Sequence, residues 1–336
     1  MATLAVPALV GLLPVVCLLG ALFYLDSYKL LHARFVCAVV ALGALAAGAS
    51  FVVNTATLEL ASIDFDAYRR YGGPIVEEVL KALVVLLLVR AHRVGFLVDA
   101  AICGFAVGTG FAVVENVYYL VQVPDAGLGT WIVRGFGTAI MHGGATALFS
   151  VMGLTRLERE DASGLRAWMP GLAVAILLHA AFNQFLFSPL VSTALIVVVV
   201  PVLVHVVFAH SEKAVGDWLG KGFDADAEML RLINSGGLAA SPVGRYLHEL
   251  KGRFHGPVVA DLLCYLRIYT ELSLRAKGIL MMRENGFEAP VDEEMRERFA
   301  ELEYLQKSIG RTGLLALDPM LHMGRKELWQ LYMLGK

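Results

Sequence analysis

Four stretches of the sequence set ionisable side chains inside runs of apolar residues: Glu77-Glu78-x-x-Lys81, Glu115-Asn116, the pair Arg134 and His142, and His179-x-x-x-Asn183. Carboxylates and imidazoles held in a dry place are the groups that take and return protons during catalysis. Side chains such as His and Asn, aimed at a developing negative charge, stabilise an oxyanion. The same residues also offer metal donors: Glu78, His142 and His179 form an oxygen and nitrogen set of the kind zinc takes, with a position left for water. Helix spacing narrows the choices. His179 and Asn183 are four apart and share a face, as do Glu77 and Lys81, while Glu78 lies about 100° round. Lys81 can therefore neutralise one carboxylate while the other faces a cavity.

The elements that must position these groups are membrane helices. The chain has 336 residues, 57% of them hydrophobic, and its mean hydropathy is +0.66, above the usual range for soluble domains. Residues 1–209 hold 23 of the 58 charged residues and residues 210–336 hold the other 35. The chain thus reads as a transmembrane domain over 1–209 and a soluble helical domain over 210–336. Seven apolar segments approach the ~20 residues that cross a bilayer: 5–25, 35–54, 74–90, 96–122, 130–154, 168–188 and 190–209. The predicted fold is all-α and polytopic, with about seven transmembrane helices. The mixed stretch 55–73 reads as an interfacial helix. Asp99, near the end of its segment, reads as a solvated terminus.

Basic residues cluster in alternate loops: Lys29 and Arg34, then Arg90 and Arg93, then Arg156, Arg159 and Arg166, with Arg69 and Arg70 against the trend. The positive-inside rule places the N-terminus outside and the C-terminal domain in the cytoplasm. A net charge of −2 gives no sign of nucleic-acid binding, and the four scattered cysteines form neither a disulfide framework nor a CxxC pair. In the C-terminal domain, 258–282 is amphipathic and stops at Asn285-Gly286, and Asp318-Pro319 predicts a helix start ahead of 320–334.

A charged side chain at membrane depth costs at least about 2.5–3.5 kcal/mol on insertion scales and so requires a reason. With a rise of about 1.5 Å per residue, Glu77 lies about 5 Å from the outer end of its helix, Asn183 about 8 Å and Glu115 about 10 Å. On the same rise His179 comes at about 14 Å and His142 at about 18 Å. Four helices therefore send polar groups to the outer half of the bilayer. Gly104, Gly108, Gly110, Gly135, Gly137, Gly143 and Gly144 let helices four and five approach closely.

In their order along the chain, Glu77-Glu78-x-x-Lys81, Phe111-x-x-x-Glu115-Asn116, His142 and His179-x-x-x-Asn183 resemble the PrsW family of intramembrane proteases, related to CAAX-type and bacteriocin-processing endoproteases. The resemblance covers roughly residues 70–190. It implies an integral protein of a bacterial plasma membrane that hydrolyses peptide bonds of membrane proteins, with single-pass proteins such as anti-sigma factors as substrates. Where CAAX-type enzymes carry Phe-x-x-x-His, this chain carries Phe111-x-x-x-Glu115.

The catalytic set expected is Glu77, Glu78, Glu115, His142, His179 and Asn183, supported by Lys81, Asn116 and Arg134. Glu77 or Glu78 activates water, His179 and Asn183 stabilise the oxyanion, and Arg134 snorkels toward the surface or bridges to Glu115. The rival chemistry uses a divalent metal such as zinc on Glu78, His142 and His179, although no HExxH helix is present. Two other function classes remain. A proton- or ion-coupled transporter would use the same buried charges but shows inverted repeats, which are not evident here. A catalytically idle scaffold would signal through the C-terminal domain to a partner the sequence does not name.

Overall fold

The computed structural model describes residues 2–26, 31–61, 64–158, 164–184, 186–285, 287 and 292–321. These are almost wholly helical, with no strand among them. Lys29, Arg159, Gly286 and the stretch 322–334 lie outside the described residues. The chain divides into two compact units, Met1–Ser211 and Glu212–Lys336.

The first unit contains α1 (Ala2–Leu25), α2 (Ala33–Ala61), α3 (Gly73–Arg90), α4 (Leu97–Gln122), α5 (Ala139–Glu158), α6 (Met169–Asn183) and the part of α7 (Pro189–Asn234) up to Ser211. Four of its stretches are long and apolar enough to cross a membrane: Ala5–Leu25, Ala33–Leu60, Leu97–Gln122 and Pro189–Ser211. The α6 helix is apolar but has only 15 residues. The α3 helix carries its charged triplet within 18 residues. Expected segment 55–73 divides: α2 runs on to Ala61, and a short turn at Phe65–Ala67 leads through a π-helical turn, Tyr68–Gly72, into α3. A second π-helical turn, Val133–Thr138, comes after the turn Leu128–Ile132 and leads into α5.

The axis of the unit is α4, which packs most closely against α5 and α2. From Val98 to Ala112 every residue of it is buried, as expected of a stretch surrounded by other helices, while Val117, Tyr118 and Val121 beyond are exposed. Its N-terminus also corrects the solvated reading of Asp99. That residue is 0% exposed, and its Oδ2 accepts the backbone N–H groups of Gly95 and Phe96 at 3.3 and 3.1 Å. A first-turn carboxylate is used to satisfy amides that the helix leaves free.

Close packing of α4 on α5 depends on Gly108. A Cβ there would collide with the carbonyl of His142 and lie 2.6 Å from the Cα of Gly143. Small residues at such a crossing bring backbones together where no hydrophobic force acts between helices.

The second unit contains the remainder of α7 with α8 (Pro242–Leu250), α9 (Gly256–Glu284) and α10 (Glu293–Leu321). Leu262, Leu266, Leu272 and Leu317 are at its core. Inside it, Asp226 accepts from Ser273 Oγ at 2.7 Å and pairs with Lys277 at 2.5 Å. The expected helix start at Asp318-Pro319 is displaced. Helix α10 continues to Leu321, and its break falls at Gly310 (φ 65°, ψ −178°), a conformation that glycine adopts without a Cβ penalty.

Gly108→Val should destabilise the protein by about 1–3 kcal/mol through overpacking. Thermal unfolding in detergent should show a lower midpoint for that variant. Gly127→Ala, at a glycine whose Cβ would meet nothing within 4 Å, should leave the midpoint unchanged.

Candidate active site

Helix α3 supplies Glu77, Glu78 and Lys81, with Pro74 in its first turn where a missing N–H costs nothing. Lys81 and Glu78 are buried, at 0% and 2% exposure, and form an ion pair of 2.6 Å. The expected pairing of Lys81 was across four residues, with Glu77; the observed pairing is across three, with Glu78. Both spacings make helical neighbours, and the inward turn of Glu78 leaves Glu77 facing the open side.

Hydrogen-bonding capacity assigns the protons at the contacts of the two histidines. Lys81 Nζ also lies 2.8 Å from His142 Nδ1. An ammonium only donates, so Nδ1 must accept and the ring proton sits on Nε2. That proton points at Glu115 Oε2, 2.9 Å away. Glu78 Oε1, already accepting from Lys81, is also 2.8 Å from His179 Nδ1. A carboxylate only accepts, so His179 carries a proton on Nδ1, and in the neutral ring Nε2 turns a lone pair outward. The two rings meet edge to face at 4.7 Å, and Phe111 covers Lys81 at 4.5 Å and His142 at 5.1 Å.

His179 Nε2 looks toward Glu77 Oε2 at 3.8 Å. Among the described residues that oxygen is buried without a hydrogen-bond partner. Water bridges a pair this close only from beside the line joining them, on the cavity side. The two groups line a cavity of about 200 Å³ together with Glu115, Arg134, Tyr68 and Asn183. Arg134 Nη2 lies 3.3 Å from Glu115 Oε1, its Nε donates to Asn116 Oδ1 at 2.9 Å, and its guanidinium sits 3.7 Å from the centre of the Tyr119 ring. Asn116 is buried beside the cavity rather than in it, donating to the Gly11 carbonyl of α1 at 2.7 Å. Asn183 donates to the Arg69 carbonyl at 3.3 Å, tying α6 to the π-helical turn ahead of α3.

All nine sequence-derived residues thus fall in one connected network or on its border. The sequence reading missed Tyr68, Asn54 and Tyr119, which also line the cavity. Tyr68 Oη donates to Asn54 Oδ1 at 2.9 Å, a contact between residues fourteen apart that no helical spacing announces. Phe111 was visible in its motif, but only its packing on Lys81 and His142 gives it a task.

The donor atoms fit a divalent metal in chemical type. Glu77, His142 and His179 each offer one atom, all within 4.8 Å of one another, and one carboxylate with two imidazoles is a zinc set. This triple contains Glu77 in place of Glu78, because Glu78 is occupied by Lys81 and His179. The Glu78–His179 contact is the kind that orients a metal-binding imidazole. To join, His142 would have to release one of its two bonds, that of Nδ1 to Lys81 or that of Nε2 to Glu115.

Removing the central cation should be costly. Lys81→Met leaves Glu78 buried without its counter-charge, for an expected loss of about 3–5 kcal/mol. Thermal unfolding in detergent should show the loss, and Glu78→Gln in the same chain should recover part of it.

Residues 32–209 match the family described as PrsW family intramembrane metalloprotease. No curated protein and no solved structure matches the chain. The matched span covers more than half of the sequence and includes all nine of the site residues expected from the sequence, and the chain is a member of the PrsW family of intramembrane metalloproteases.

Proposed function

We propose that this integral membrane protein is an endopeptidase that cuts single-pass membrane proteins within or beside their membrane segments, using a water held between Glu77 and His179. The observation that carries the reading is the pairing of a partnerless Glu77 oxygen with the outward lone pair of His179 across 3.8 Å of cavity. A water there donates one hydrogen to each, which leaves its oxygen lone pair facing the substrate.

Glu77 takes the proton as the water oxygen bonds to the scissile carbonyl carbon, a general-base step. The tetrahedral oxyanion is met by donors in the cavity, Asn183 Nδ2 and the Arg134 guanidinium. His179, whose Nε2 accepts in the resting network, becomes a donor only after it receives a proton. Return of the proton to the amide nitrogen breaks the C–N bond and releases a carboxyl and an amine end. Glu78 and Lys81 hold His179 and His142 in place and touch no reacting atom. Basic residues in alternate loops support an outside N-terminus, a cytoplasmic C-terminal unit and a site nearer the outer face.

A second reading is favoured by the family description and by the convergence of Glu77, His142 and His179. Zinc held there would act as a Lewis acid on the scissile carbonyl and would acidify its bound water.

The test compares new N-termini of membrane proteins in cells expressing wild type or Glu77→Gln at matched levels. Wild type alone should produce new termini at transmembrane segments, and Glu77→Gln should lose at least about 10²-fold in rate. Matching profiles would overturn the proposal. With purified protein, loss of hydrolysis under 1,10-phenanthroline and its recovery with zinc would transfer water activation to the metal.

A further inference from the structure

A second opening reaches the same carboxylates from the side. Helices α2 and α4 touch backbone to backbone at one level: a Cβ on Gly43 would strike the Val107 carbonyl, and one on Gly110 the Val40 carbonyl. Further along the same pair lies a groove of about 560 Å³. Its α2 wall is Ala47, Gly48, Phe51, Asn54, Thr55 and Leu58, and its α4 wall is Phe111, Val114, Glu115 and Tyr118. Each set recurs at helical spacing, so these are the facing sides of the two helices. The groove shares Asn54, Leu58, Phe65, Glu77, Glu115 and Tyr119 with the 200 Å³ cavity. It is therefore continuous with the site.

The rim is open. Phe51 is 55% exposed and Tyr118 43%, and their rings meet at 5.5 Å. Both helices are long and apolar enough to cross the bilayer, so this side of the unit faces lipid. The floor, at Ala47 and Gly48, is small.

Hydrolysis sets a requirement on whatever enters. A carbonyl inside a helix is already hydrogen-bonded and is shielded by its neighbours, so the scissile bond must leave the helix. Its freed N–H and C=O groups then lack partners in lipid, at several kcal/mol each. A groove that places Asn54 and Thr55 beside aromatic rings, and ends at Glu77, meets that requirement. We infer that the α2–α4 groove is the lateral docking site for an unwound stretch of a substrate's transmembrane segment, with small residues against Ala47 and Gly48. The inference rests on the protease reading for its occupant, but its geometry is independent of the hydrolytic step.

The test uses full-length Glu77→Gln protein in phosphatidylethanolamine–phosphatidylglycerol vesicles. A benzophenone amino acid replaces Phe51, Tyr118 or, as a lipid-facing control on α3, Leu87. The probe is a Lys-flanked Leu/Ala peptide of about 20 apolar residues interrupted by Gly-Pro-Gly, compared with its uninterrupted twin. Positions 51 and 118 should crosslink the interrupted peptide several-fold more than position 87 does, and more than they crosslink the twin. Gly48→Trp, which fills the floor, should remove the excess, and the positions with an unaltered floor carry the test if that variant does not fold. Equal crosslinking at the three positions, no preference for the interrupted peptide, or crosslinks to lipid alone at 51 and 118 would overturn the inference. Cleavage of the same peptide by wild type is scored separately. Groove crosslinks without cleavage would remove the protease reading and keep the groove, and cleavage without groove crosslinks would do the reverse.

Discussion

Lys81 lies where α3, α5 and α6 meet, and its ammonium serves Glu78 and His142 at once. In a medium that cannot solvate ions, one buried cation must have its hydrogen bonds satisfied from several directions or it becomes a large penalty. The requirement propagates outward. Glu78 must also accept a hydrogen bond from His179 Nδ1–H, which fixes that ring, and His142 must donate its Nε2–H to Glu115, which in turn holds Arg134. Four helices and a π-helical turn are thereby committed to one arrangement. The same chain of donors leaves Glu77 Oε2 without a partner among the described residues, on the wall of the cavity. A reactive group is left free because its neighbours are fully occupied.

Where the sequence was legible, it was so because membrane physics leaves few options. Apolar runs with stops at Gly, Pro and basic residues marked 5–25, 96–122 and 190–209, close to Ala5–Leu25, Leu97–Gln122 and Pro189–Ser211. Ionisable residues inside such runs pointed to the site, since their cost demands a use. Choices between near-equivalent neighbours were not legible. Glu77 and Glu78 are both within reach of Lys81 along the helix, and only the direction in which α3 turns toward His142 and His179 decides between them. Asp99 likewise reads as a terminal charge until the chain before α4 wraps its amides onto the carboxylate. Tyr68 and Asn54 meet through a change of direction between helices, which has no periodicity to read.

The apolar surfaces divide in an equally physical way. Helix α4 is as hydrophobic as a lipid-facing span and yet is enclosed from Val98 to Ala112, because its glycines let α2 and α5 come to backbone distance. Exposed apolar side chains instead crowd α1, α2 and α7, where Leu9, Leu45, Val52 and Val198 are more than half exposed. Hydropathy alone does not separate a helix that touches lipid from one that anchors a site, whereas the placement of small residues does.

The two π-helical turns, Tyr68–Gly72 and Val133–Thr138, stand just ahead of the helices that bear Glu77 and His142. A π turn is an α-helix carrying one surplus residue, often retained where function resides. Deleting that residue would regularise the helix and rotate its N-terminal side by about 100° relative to its C-terminal side. The rim residues Tyr68, Arg69 and Arg134 are thus indexed separately from the interior carboxylates and imidazoles. A lineage can therefore re-aim the mouth of the cavity by gaining or losing a single codon while the proton-handling centre keeps its register.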